Sequence, residues 1–152
     1  MVSGLPQKCA GDVLDTIPLI VRFFHTHMRK QPVSDLSLPQ FRVLGYLHFH
    51  DRAMLSAAAE HIGVARPSMS RMIDGLVARG LVSRATRSAD RRQVALGLTA
   101  RGRAMLQAAR AAAQRRLAQE LSGVPPRDLA TVRQAMAALR GALDPKKLGP
   151  GR

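Results

Sequence analysis

A chain of 152 residues with 46% hydrophobic content suits one globular domain with a core of its own. Its net charge of +14 calls for a polyanionic partner, nucleic acid first and an anionic membrane surface second. A single cysteine, Cys9, excludes an intrachain disulfide, and neither a signal peptide nor a membrane span is read at the front, so the expected location is cytoplasmic.

Residues 1–11 carry Gly4, Pro6 and Gly11 without periodicity and are expected to form a mobile arm. From Asp12 to Lys30, Val13, Ile17, Ile20, Val21, Phe24 and Met28 recur at helical spacing, and Pro18 should kink that helix or mark its start. A loop follows over Gln31 to Asp35. Ser37 and Gln40 form a capping box for the next helix, which turns Phe41, Leu44 and Leu47 or His48 inward and ends near His50.

Leu55 to Ile62 reads as a short helix closed by Gly63. A second helix runs from Arg66 to about Arg79, with Met69, Met72, Ile73, Leu76 and Val77 on its buried face. Pro67, Ser70, Arg71, Asp74 and Ala78 lie on the other. Gly80 stops it. Two strands, Val82 to Thr86 and Gln93 to Leu98, form a hairpin tipped by Arg87 to Arg92. Val94, Leu96 and Leu98 alternate with Ala95 and Gly97.

Thr99 caps a long helix to about Leu121, with Leu106, Ala109, Ala113, Leu117 and Leu121 as its inner stripe. After Pro125-Pro126 the last helix carries Leu129, Val132, Met136, Leu139 and Leu143 at a coiled-coil-like spacing. Residues 144–152 read as a disordered basic tail. The fold class is therefore mainly α with a small β-hairpin wing. A winged helix-turn-helix core at about 53–98 is flanked by dimerisation helices at about 12–30 and 99–143, within a domain spanning 12–143.

A helix-turn-helix followed by a basic hairpin places one helix in the major groove of DNA and the hairpin over the backbone or minor groove. The charge agrees: nine Arg and three acids between Ala53 and Arg103 leave a net +6 there. Arg can grip phosphate or guanine edges bidentately. Double-stranded DNA is the expected partner, with no cofactor and no catalytic role. The chain shows no phosphate-binding glycine loop, no metal-ligand cluster and no recognisable Cys–His or Ser–His–Asp arrangement.

With these residues in view, the chain resembles the MarR family of bacterial winged-helix transcription regulators over about residues 13 to 143. Leu36-Ser37-Leu38-Pro39-Gln40-Phe41-Arg42-Val43-Leu44 is similar to the family's Leu-Thr-x-x-Gln-x-x-x-Leu pattern. Gly63 to Arg71 resembles the entry to its recognition helix. Gly80-Leu81-Val82-x-Arg84 resembles the start of its wing. Asp90-Arg91-Arg92 and Leu98-Thr99-x-x-Gly102 resemble the wing tip and exit. One departure is Ala65, where the family commonly has a capping Ser or Asp; its loss should cost roughly 1 kcal/mol.

The resemblance implies a homodimer whose two recognition helices enter successive major grooves of a near-palindromic site, usually as a repressor. On that basis Arg66, Ser68, Ser70 and Arg71 would face DNA from the recognition helix, with Arg71 reading a base or gripping a phosphate. Arg92 would reach the minor groove, Arg87 and Arg91 would flank it, and Asp90 would orient a neighbouring Arg. Arg84 could serve the backbone or pair with Asp74. A small anionic aromatic effector would sit among Arg22, His25 and Tyr46.

Two other sensing modes fit the sequence less well. Cys9 lies in the expected arm with only Tyr46 as a tyrosine in the chain, which argues against a redox sensor. His25 and His27, like His48 and His50, are two residues apart, so each pair points to different sides of a helix and cannot chelate one ion. The competing function is an architectural protein that coats DNA by charge alone, with a specificity ratio near one.

Overall fold

The computed structural model describes residues 4–28, 35–86 and 94–144. Helix α1 runs Leu5–Met28, so most of the stretch expected as an arm is helical. Pro6 sits in the first turn, where a missing N–H costs nothing. Pro18 lies inside this helix and does not start it. A proline removes one hydrogen bond, and the turns on both sides supply the rest.

Helix α2 (Leu38–Phe49) opens with the expected capping box. The Ser37 hydroxyl accepts from the Gln40 amide at 3.3 Å, and the Ser37 amide donates to Gln40 Oε1 at 2.9 Å. Val43, Leu44 and Leu47 are buried, while His48 is exposed. A two-residue strand β1 (Ala53–Met54) precedes α3 (Leu55–Ile62) and α4 (Arg66–Ala78). Gly63 closes α3 at φ 80°, and its amide donates to the Ala59 carbonyl at 2.9 Å. A β-carbon there would be strained, so the sharp turn between the two helices depends on glycine.

Strands β2 (Val82–Thr86) and β3 (Val94–Leu98) pair antiparallel from Val82 opposite Leu98 to Thr86 opposite Val94. β1 pairs with the other edge of β3, Ala53 opposite Leu96, which gives the order β1-β3-β2. The sequence pattern did not reveal β1. β3 is thus the central strand, and Ala95 is buried beside Leu96 and Leu98 instead of alternating outward.

The core lies beneath this sheet. Leu36, Val43, Leu44, Met69, Ile73, Leu76, Leu81 and Leu96 are its fully enclosed side chains. Each such burial contributes on the order of 1.5–3 kcal/mol. Helix α5 (Ala100–Leu121) starts against the base of the wing. The Thr99 hydroxyl donates to the Gly80 carbonyl at 2.7 Å and accepts from the Gly102 amide at 2.9 Å. The Thr99 amide donates to the Leu81 carbonyl at 3.2 Å. A β-carbon on Gly102 would stand 2.0 Å from the Leu81 carbonyl oxygen, so only glycine permits this approach.

Along α5 the buried residues are Gly102, Leu106, Ala109 and Ala112; Leu117, expected inward, is exposed. The chain divides after Gln114 into two compact units. The second contains the end of α5 and α6 (Pro126–Ala142). No residue of α6 is buried, and Val132 and Met136 of its apolar stripe are exposed, as is Leu143 just past its end. Among the described residues no helix is long and apolar enough to cross a membrane.

Candidate nucleic-acid interface

Helix α4 separates its faces as its periodicity predicts. Met69, Ile73 and Leu76 are buried, while Pro67, Arg71, Asp74 and Ala78 form an exposed stripe at helical spacing. Arg66 is exposed at the first turn, and Ser68 and Ser70 are half-buried. Ala65 precedes the helix in an extended conformation and offers no side-chain cap. The first-turn amides of α4 therefore remain available to an anion.

The wing strand meets this face. Arg84 Nη1 lies 2.8 Å from Asp74 Oδ1, so the ion pair left open by the sequence is formed. Arg84 also lines a hollow of about 190 Å³ together with Arg66 and Ser70 of α4 and Ser56 of α3, beside the apolar Met54 and Val94. Three of the residues expected to face DNA thus converge on one hollow. Ser56 joins them from another helix, and its only sequence signal was a hydroxyl in the first turn of α3. Arg87, Asp90, Arg91 and Arg92 of the wing tip lie outside the described residues.

Other arginines are engaged within the protein. Arg42 Nη1 donates to the Ile62 carbonyl at the end of α3 (3.3 Å), and Arg79 Nη1 donates to the Asp35 carbonyl (3.0 Å). Each bond fixes one N–H of its guanidinium and leaves the positive charge in place.

The expected effector residues lie on two helices. Arg22 and His25 are exposed on α1, whereas Tyr46 of α2 stacks on His50 and His61 with ring centroids 4.2 and 4.6 Å away. Among the described residues no hydrogen bond, ion pair or ring contact joins Arg22, His25 and Tyr46. Partial burial raises the Tyr46 pKa, and the nearby Glu60 charge adds to this. Partial burial lowers that of His61, with repulsion from His50 and Arg42 adding to it. His50 Nδ1–H donates to the Tyr46 carbonyl, and His27 Nδ1–H to that of Phe23. Cys9 is exposed on α1. Among the described residues no group of three or more His, Cys, Asp or Glu is placed to hold a metal ion.

Comparison with known proteins agrees with this arrangement. Residues 34–93, a stretch that includes α2, α3, α4 and β2, match the MarR family model. The transcriptional repressor CouR, solved bound to a 23-mer DNA duplex, is 30% identical over 93% of this chain and 98% of its own, with a TM-score of 0.67. The chain belongs to the MarR family. It is accordingly a transcription regulator and not an enzyme. The HTH-type transcriptional regulator YfiV of Bacillus subtilis is 27% identical over 113 residues, covering 74% of this chain and 71% of YfiV. The apo structure of MarR from E. coli shares the fold, with a TM-score of 0.72 at 22% identity over 85% of this chain and 95% of that one.

Proposed function

We propose that this MarR-family regulator binds DNA sequence-specifically as a homodimer and represses transcription in the cytoplasm from a near-palindromic operator. The observation that carries this is the outward face of α4: Arg71 stands on an exposed stripe, with Arg66, Ser70 and the wing residue Arg84 gathered beside it around one hollow. Such a face offers bidentate donors to base edges and cationic donors to phosphates. The likeness to CouR, bound to a duplex in its own structure, supports the same docking here.

Dimerisation rests on unpartnered apolar surface. α1 exposes Leu5, Leu14, Ile17, Leu19 and Ile20; separately, α6 exposes Val132 and Met136, and Leu143 is exposed just past its end. Contiguous exposed apolar side chains of this kind mark interfaces. Release by a small anionic aromatic ligand held by Arg22, His25 and Tyr46 belongs to the same reading through the family resemblance.

The test is to sequence duplexes selected by the purified protein from a random library, with and without candidate aromatic acids. An enriched inverted repeat supports the reading. Enrichment no better than random would make the protein a charge-driven DNA coat.

A further inference from the structure

The hollow shared by α3, α4 and the wing strand has a donor set with one chemical meaning. Ser56, Arg66, Ser70 and Arg84 supply two guanidinium groups and two hydroxyls, and among the described residues no acid lines it. Among the described residues the Arg66 guanidinium and the Ser56 and Ser70 hydroxyls have no protein partner. Arg84 alone is engaged, by the Asp74 carboxylate 2.8 Å away. At about 190 Å³ the hollow is several times the ~30 Å³ share of one water, so a tetrahedral oxyanion fits.

The geometry points to a seat for one backbone phosphate, in which Asp74 holds Arg84 in the free protein and gives it up to the phosphate on binding. This rests on the DNA-binding reading above and adds a site and a competitor to it. Asp74 lies on the exposed stripe of α4, one turn beyond Arg71, with 57% of its side chain open to solvent. A carboxylate on a face that meets a polyanion opposes binding unless a cation neutralises it. Arg84 does so until a phosphate takes its place. A solvent-accessible ion pair contributes little net stability, so the exchange is accessible.

Binding of a labelled selected duplex and a labelled mixed-sequence duplex, titrated across a KCl series, tests this. Asp74→Asn should bind both several-fold more tightly, because Arg84 no longer has to leave a carboxylate. Arg84→Ala should bind both more weakly, with a salt slope shallower by about 0.9. Ser56→Ala should weaken both without changing the slope. It leaves the ion pair intact and keeps the test alive if Arg84→Ala unfolds. The gain from Asp74→Asn should shrink in the Arg84→Ala background.

A loss or no change on Asp74→Asn, or an equal gain in both backgrounds, makes the ion pair a brace between helix and strand and overturns the proposal. An Asp74→Asn effect confined to one base pair overturns it too, in favour of base readout. Inorganic phosphate compared with chloride at equal ionic strength separates the sources. Equal displacement of the duplex assigns the seat to the DNA backbone, and preferential displacement assigns it to a free phosphate as well. Wild-type protein that binds no duplex refutes the DNA-binding reading and the seat together. Normal wild-type binding, with Ser56→Ala and Arg84→Ala unchanged, refutes the seat alone.

Discussion

Gly102→Ala would place a methyl carbon 2.0 Å from the Leu81 carbonyl oxygen and 2.8 Å from Leu98 Cδ1. The Leu81 backbone is not free to retreat. Leu81 is 1% exposed, and its amide is tied to the Leu76 carbonyl at 2.9 Å. The start of α5 must therefore move off the wing base, straining the Thr99 bonds to Gly80 and Leu81. Overpacking of this kind costs about 1–3 kcal/mol, and a weakened hydrogen bond adds about 1 kcal/mol. The helix-propensity gain of Ala over Gly returns up to ~1 kcal/mol, leaving a net loss of about 1–3 kcal/mol. Gly75→Ala is the matched control: a β-carbon there has no neighbour within 4 Å, so it should stabilise α4 by about 0.5–1 kcal/mol. Urea unfolding curves read both changes as opposite shifts of the midpoint at constant slope. If both glycines shift it the same way, the close approach of α5 to Leu81 is not what the glycine serves.

Ala65 already has the extended backbone of a cap, at φ −64° and ψ 147°, so Ala65→Ser should stabilise α4 by about 1 kcal/mol, measured in urea. Arg71→Ala should reduce discrimination against one mismatched base pair by about 1–3 kcal/mol, read from competition binding with single-substituted duplexes. Arg92→Ala should weaken all duplexes alike and lower the salt slope by about 0.9, checked by titration in a KCl series. The lowered pKa of His61 means that the unfolded chain takes up this proton at higher pH than the folded one. Its contribution to stability is intact above the ordinary His value of about 6.5 and is lost as the pH falls below it. Urea midpoints measured from pH 7.5 to 5 should therefore drop, and less steeply in His61→Gln.

Helix boundaries governed by neighbours in the chain were legible from residue order. The Ser37–Gln40 capping box, the turn at Gly63 and the two faces of α4 each depend on residues within one or two turns, so local chemistry decides them. The same holds for the hairpin strands and for the uncapped Ala65. Pro6 misled because a proline reads as a breaker but is tolerated in a first turn, and α1 begins at Leu5.

What neighbours in space decide was not legible. Pairing of Ala53–Met54 with β3 joins residues more than forty positions apart, and that pairing buries Ala95 on a central strand. Arg84 carried two equal readings until the approach of α4 to β2 put Asp74 within reach. Arg42 and Arg79 donate to carbonyls 20 and 44 positions away, partners that no local spacing announces. Residue order by itself thus determined most of the helices, their caps and the two exposed arginines of α4. Only the tertiary structure decided which acceptor each guanidinium meets, because that partner is set by whatever folding brings near it.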